Sequence, residues 1–266
     1  MTYPNLKQSV WLLVLLFLIQ IGLMIPIVIL GRIIGYPIHT SHYMICVGLA
    51  SFVLLVCYVL RRTDRTWSSW SDIMPIKAIS WQLLFPIVVS ILGLVIVALE
   101  LRKMVIYLIP MPELWLNNFQ SMVGQEVPYW LAFYATAIQE PIVDEVLFRG
   151  IILGGLLVCC SKSQAAILST ILFFFSYMNP WQFPLAFTFG LVFAWWFIQT
   201  GSLLPCLLGN ALNSFLAVTL ARLGIPGFGK ISEALIFLPW WVDVCAVLLA
   251  VIGLWWFSQV AKRETF

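Results

Sequence analysis

Gln139-Glu140-Pro141-Ile142-Val143-Asp144-Glu145-Val146-Leu147-Phe148-Arg149-Gly150 places three carboxylates and a guanidinium inside sequence that otherwise reads as membrane helix. A charged group at the centre of a bilayer costs roughly 2.5–3.5 kcal/mol on insertion scales. Four such groups therefore oppose insertion by about 10 kcal/mol unless they pair or face a wet cavity. A stretch of this kind is expected to form the wall of a buried polar site, and the fold must be one that builds membrane helices around it.

Composition supports that frame. Of the 266 residues 62% are hydrophobic and 9% are charged, with a mean hydropathy of +1.02, whereas soluble domains carry roughly 25% charged residues. A soluble domain and a nucleic-acid binder are both excluded as expectations, and membrane lipid is the expected surrounding. Apolar runs bounded by charges, Gly or Pro predict spans at Val10 to Leu30, Tyr43 to Leu60, Trp81 to Leu99, Pro128 to Cys160, Ser163 to Met178, Gln182 to Ile198, Leu203 to Leu220 and Leu238 to Val260. The expected fold is thus all-α, a polytopic membrane helix bundle of about eight transmembrane helices, with residues 1–266 forming a single membrane domain. The first run follows Lys7 and lacks a small-residue cleavage site, so it reads as a retained span. The fourth run is too long for a simple crossing, at roughly 48 Å, and is expected to tilt, protrude or break near Pro141 or Gly154-Gly155.

With eight crossings, Lys7, Arg61, Arg62, Arg65, Lys77, Lys162, Lys262 and Arg263 fall on one side. Arg32, Arg102, Lys103, Arg222 and Lys230 fall on the other. The positive-inside rule then puts both termini in the cytoplasm. The Arg61 to Ser80 loop, with Trp67 and Trp70, reads as a headgroup-level anchor, and Met104 to Val127 as an amphipathic or re-entrant cover. Cys46, Cys57, Cys159, Cys160, Cys206 and Cys245 lie in apolar surroundings without paired spacing, which predicts buried free thiols rather than disulfides or a zinc site. The adjacent Cys159 and Cys160 near a helix end also fit a palmitoyl acceptor.

On a helix Glu140 and Asp144 share a face, as do Glu145 and Arg149, and the second pair is a natural ion pair. Such a pair often does no more than lock one helix to its neighbours. Two further acids exceed what locking requires. Downstream, Asn210, Asn213 and Ser214 fall on one helical stripe, where their ordinary role is interhelical hydrogen bonding.

Three segments in order, Pro141-Ile-Val-Asp-Glu-Val-Leu-Phe-Arg-Gly150, Asn179-Pro-Trp-Gln-Phe183 and Thr200-Gly-Ser-Leu-Leu-Pro-Cys206 followed by Asn210-Ala-Leu-Asn213, resemble the CPBP intramembrane metalloprotease family. That family includes the type II CAAX prenyl endopeptidases and abortive-infection-like proteins. The family-like core runs over about 129–218. The resemblance implies a Glu-Glu-x-x-x-Arg motif in which one Glu polarises a water, the other organises the site and Arg pairs with the acids; here it reads Asp144-Glu145-x-x-x-Arg149. Aspartate draws the carboxylate back by about 1.5 Å, and a shift of that order costs about a hundredfold in rate. The second motif, Phe-x-x-x-His, fits Phe173 with Tyr177 or Phe175 with Asn179, and the Asn-Pro-Trp-Gln that follows favours Tyr177 at the histidine position. The third, His followed four residues later by Asn or Asp, holds Asn210 and Ser214. The resemblance therefore nominates Asp144, Glu145, Arg149, Tyr177 and Asn210 as catalytic positions, with Glu140, Asn179, Asn213 and Ser214 as binding residues.

Both motif histidines are replaced. Tyrosine is neutral below about pH 10 and asparagine does not titrate, so neither is a base near neutrality. The chain's histidines, His39 and His42, lie between the first two spans and read as solvated polar residues. The expectation is a catalytically impaired pseudoprotease that binds a hydrophobic peptide or membrane protein partner, without a metal or other cofactor; zinc enters only if the family chemistry is retained. The alternatives are an active endopeptidase using the Asp144 and Glu145 carboxylates with Asn210 as oxyanion donor, and an ion path lined by the charged motif.

Overall fold

A computed structural model describes residues 3–34, 40–63, 74–112, 127–224 and 237–264, and the side chains of residues 34, 40–44 and 264 are not among those described. The described residues are helical without strands and form eight helices. These are α1 (Leu6–Ile34), α2 (Thr40–Arg62), α3 (Leu84–Leu108), α4 (129–159), α5 (Lys162–Ser176), α6 (Phe183–Thr200), α7 (Leu204–Arg222) and α8 (Trp240–Glu264). Six of them (α1, α2, α3, α6, α7 and α8) are long and apolar enough to cross a membrane, and α5 is a shorter apolar helix. The protein is a multi-pass integral membrane protein. In the most apolar window of α1 only 17% of the residues are buried inside the protein, so this helix presents most of its surface outward to lipid.

Of the three outcomes left open for the fourth run, tilting, protruding or breaking, a break near Pro141 or Gly154 does not occur. Backbone dihedrals stay helical through Pro141 and Gly154, and the chain first leaves the helix at Cys160, with φ −130° and ψ 160°. The helix widens instead. Residues Tyr134–Gln139 and Glu145–Leu153 are wound as π-helix, with Glu140 N–H donating to the Ala135 carbonyl and Gly154 N–H to the Arg149 carbonyl, five residues back. Proline lacks the N–H that an α-helix would use and crowds the carbonyl four residues earlier; the wide turns on either side let the helix run on past Pro141. π-turns are rare and concentrate at functional sites, and the second of these holds both Glu145 and Arg149.

Two residues separate α4 from α5, which begins on a capping box: Ser161 Oγ accepts from Gln164 N–H and Gln164 Oε1 accepts from Ser161 N–H. The two helices form a tight hairpin, and Ser169 Oγ donates to the Phe148 carbonyl at 3.0 Å across it. Close approach of α5 and α6 depends on Gly190, where a Cβ would meet Thr170 Cγ2 at 2.6 Å. Helix α6 stops at Gly201, whose φ of 60° is a left-handed cap that glycine adopts without cost. Ser202 then fastens the segment before α3, accepting from Lys77 N–H at 3.1 Å and donating to the Lys77 carbonyl at 2.8 Å.

Helices α3 and α8 pack antiparallel along a seam of small residues, Ser90 and Gly93 against Ala246, Ala250 and Gly253. Packing of this kind lets backbones touch where lipid offers no hydrophobic drive for association. A Cβ on Gly93 would lie 2.5 Å from the Ala246 carbonyl oxygen, and one on Gly253 2.5 Å from Ser90 N. Both obstacles are backbone and cannot rotate away, so Gly93→Val or Gly253→Val is expected to destabilise the protein by about 3 kcal/mol or more. Gly22→Val, with nothing within 4 Å of the new Cβ, serves as the neutral control. Unfolding temperature and monodispersity in detergent check both.

Several expectations change. Arg102 and Lys103 are not loop charges: α3 continues through them, both are buried, and Lys103 pairs with Glu100 at 2.5 Å. Met104 to Leu108 likewise continues α3 rather than starting a cover, while residues 113–126 lie outside the described residues, as do Trp67, Trp70, Arg65, Lys230 and His39. Arg61 and Arg62 end α2. The described cysteines are free as expected, but only Cys206 is buried; Cys46, Cys159 and Cys245 are exposed and Cys57 and Cys160 half-buried, because they sit on the outward faces and ends of the helices.

Candidate functional site

The polar residues of α4, α5 and α7 converge. Glu145 is fully buried, and its Oε1 accepts from Arg149 Nη1 at 3.1 Å and from Asn210 Nδ2 at 2.8 Å. Arg149, 1% exposed, sends Nη2 to the Gly190 carbonyl at 3.3 Å. Its guanidinium also lies over two aromatic faces, 4.6 Å from the Phe173 ring centre and 5.5 Å from that of Phe193. Cation–π contacts at this range reach about 2 kcal/mol when desolvated. The sequence motif marks Arg149, but the carbonyl and the two rings that hold it were not foreseen. Phe173, as the first residue of the Phe-x-x-x-His pattern, carried the available signal.

Nearer the surface, Tyr177 OH donates to Asp144 Oδ2 at 3.3 Å, which joins the end of α5 to α4. Phe173 meets Phe148 and Tyr177 edge to face, at 5.0 and 5.1 Å between ring centres, and so sets the tyrosine against the α4 acids. Thus Asp144, Glu145, Arg149, Tyr177 and Asn210, predicted from three separate motifs, form one cluster. Glu140 lies one turn before Asp144 and is exposed. Asn213 and Ser214 are half-buried on the α7 stripe that starts at Asn210. Asn179 acts locally instead, its Oδ1 accepting from Trp181 N–H at 3.1 Å and capping the Pro180–Gln182 turn. That favours Tyr177 over Asn179 at the histidine position.

Outer contacts orient the helices that carry the cluster. Gln139 Nε2 donates to the Ile45 carbonyl of α2 at 3.1 Å. At the far end of α7, Arg222 donates to the Val127 carbonyl and lies 5.9 Å from the Tyr129 ring centre, while Tyr129 OH and Thr219 Oγ1 are 2.9 Å apart. These clasps fix the antiparallel register that sets Asn210 opposite Glu145.

Residues 126–216 match the family described as type II CAAX prenyl endopeptidase Rce1-like. This part of the chain is similar to that family's domain. The match covers the three motifs, all of α4 to α6 and the first two-thirds of α7, so the matched region contains every residue of the cluster. No curated protein and no solved structure matched the chain. The chain is therefore an integral membrane protein in which residues 126–216 are similar to the CAAX-protease family.

Proposed function

We propose that the protein is a pseudoprotease, which keeps the polar cluster of the region similar to the Rce1-like family and uses it to bind a hydrophobic peptide or membrane protein partner. The observation that carries this reading is the identity of the groups facing the carboxylates: Tyr177 against Asp144 and Asn210 against Glu145. Water activation needs a proton acceptor near neutrality, and neither side chain is one. Zinc favours imidazole, thiolate and carboxylate; this cluster offers carboxylates with a phenol and an amide, and the nearby Cys206 Sγ donates to the Phe193 carbonyl. Such a donor set does not fit a resident zinc ion.

The expected result is that purified protein shows no Glu145-dependent turnover of isoprenylated or leader peptides. Specific hydrolysis abolished by Glu145→Ala overturns the reading. One feature favours the active endopeptidase instead: Glu145 Oε2 is buried and has no hydrogen-bond partner among the described residues, leaving an acceptor able to polarise a water. That alternative requires cleavage insensitive to chelators.

The orientation of the termini belongs to the same proposal. Gly155 lies against Pro4, the Lys77 segment is fastened to Ser202, and Phe85 of α3 stacks on Trp256 of α8 at 6.4 Å between ring centres. These contacts gather Lys7, Lys77, Lys162, Lys262 and Arg263 at one end of the bundle, which supports a cytoplasmic placement of both termini.

A further inference from the structure

Helix α8 changes chemistry in order along one outward stripe. Leu248, Ile252, Trp255, Gln259 and Lys262 follow one another at alternating helical intervals of four and three residues and so share a face. Leu248 and Ile252 are exposed and apolar, Trp255 is exposed as well, and the stripe ends on the exposed Lys262. Trp256 and Arg263, two turns apart and both exposed, form a second row beside it. The neighbouring helix extends the aromatic tier. Phe85 of α3 stacks on Trp256 at 6.4 Å between ring centres, and Trp81, in the turn that leads into α3, meets Phe85 edge to face at 6.1 Å. Both of these rings are exposed too.

Exposed tryptophan collects where hydrocarbon gives way to headgroups, because indole has an apolar body and a polar N–H. The cations stand seven residues beyond the tryptophans, about 10 Å of helix. A headgroup layer is roughly 5–8 Å deep, so their long side chains reach phosphate level. Among the described residues the ion pairs are Lys103–Glu100 and Arg149–Glu145, and neither Lys262 nor Arg263 takes part in one. The acidic side chains described on these two helices, Glu100 and Asp243, lie toward the opposite end. This surface is complemented by an anion that arrives attached to an apolar body. A second copy of the chain docked here face to face would set Lys262 and Arg263 against themselves, and a free anion would leave the rings uncovered.

We propose that Trp81, Phe85, Trp255 and Trp256, with Lys262 and Arg263 beyond them, form a binding site for an anionic phospholipid of the bilayer. The rings hold the glycerol and the upper acyl chains, and the two cations hold the phosphate. The site lies where α3 meets α8, outside residues 126–216, and does not depend on the carboxylate cluster or on its proposed role. Delipidated full chain in detergent, offered equal amounts of phosphatidylglycerol and phosphatidylcholine with identical acyl chains, tests it by native mass spectrometry. Phosphatidylglycerol adducts are expected to exceed phosphatidylcholine adducts by at least about tenfold, since each basic side chain near an anionic headgroup contributes about fivefold. In Lys262→Gln/Arg263→Gln that preference should fall by at least about fivefold. In Lys7→Gln/Arg32→Gln, which removes the same charge from exposed positions on α1, it should change by less than about twofold. All four substituted side chains are exposed, so none of these changes disturbs the core. Equal binding of the two lipids by the natural chain overturns the proposal. So does a preference that survives Lys262→Gln/Arg263→Gln, or one that falls equally in the α1 variant, because net charge alone would then account for it. Displacement of phosphatidylglycerol by inorganic phosphate, beyond that by sodium chloride of the same ionic strength, would reveal a bare anion site and overturn the lipid assignment.

Discussion

Replacing Arg149 by methionine is expected to lower the unfolding temperature in detergent by on the order of 10 °C, the largest stability loss of any single substitution in the cluster. The reason is the charge left behind. Glu145 is 0% exposed and would retain only the Asn210 amide, and breaking one partner out of a buried pair costs about 3–5 kcal/mol. Arg149→Lys keeps the charge but offers a point donor in place of a planar fork. It cannot serve Glu145 and the Gly190 carbonyl together while stacking on Phe173 and Phe193, so an intermediate loss is expected. Removing both charges in Arg149→Met/Glu145→Leu should recover most of the loss, since apolar replacement of a whole buried pair is often neutral. A double-mutant cycle on the unfolding temperatures reads the coupling directly. A double variant as unstable as the sum of the singles would show that Arg149 and Glu145 contribute separately, through packing rather than through each other.

The same residues show how far the sequence could be read. Membrane helices were legible because a span needs a long apolar run, and the charged motif stood out because bilayer cost makes it exceptional. The Glu145–Arg149 pair followed from helical spacing, and the meeting of Asn210 and Tyr177 with the α4 acids followed from the family resemblance. What failed were the places where backbone geometry answers a local conflict. Pro141 in a long apolar run left tilt, protrusion and a break all open; the helix absorbs the proline by widening, and nothing in residue identity distinguishes these outcomes. Arg102 and Lys103 looked like boundary charges, yet pairing with Glu100 lets Lys103 stay inside α3. The cysteines were assigned to the interior from their apolar neighbours, a rule that holds in water and loses its force where the outside is apolar too. Gly190 was invisible as a site residue because it contributes only a carbonyl, and it can do so only because it lacks a side chain.

Restoring the family residues, Asp144→Glu, Tyr177→His and Asn210→His together, is expected to raise peptide cleavage by about a hundredfold or more over the natural chain, since positioned acid–base groups contribute about 10²–10⁴ in rate. The geometry supports this combination over any one of its parts. Position 210 already faces Glu145 Oε1 across 2.8 Å, so an imidazole there falls within proton-transfer reach. The hydroxyl of Tyr177 meets Asp144 at 3.3 Å from the far end of a six-membered ring; an imidazole is shorter, and the added methylene of glutamate at 144 makes up part of the distance. Groups that act as a unit give strongly non-additive effects, so each single substitution should yield little while the triple yields most of the gain. The gained activity must vanish in a Glu145→Ala background, which separates it from contaminating peptidase. A triple variant that folds and remains inert would mean that the site has diverged in shape as well as in chemistry, and that loss of histidine is a consequence of the binding role rather than the cause of lost cleavage.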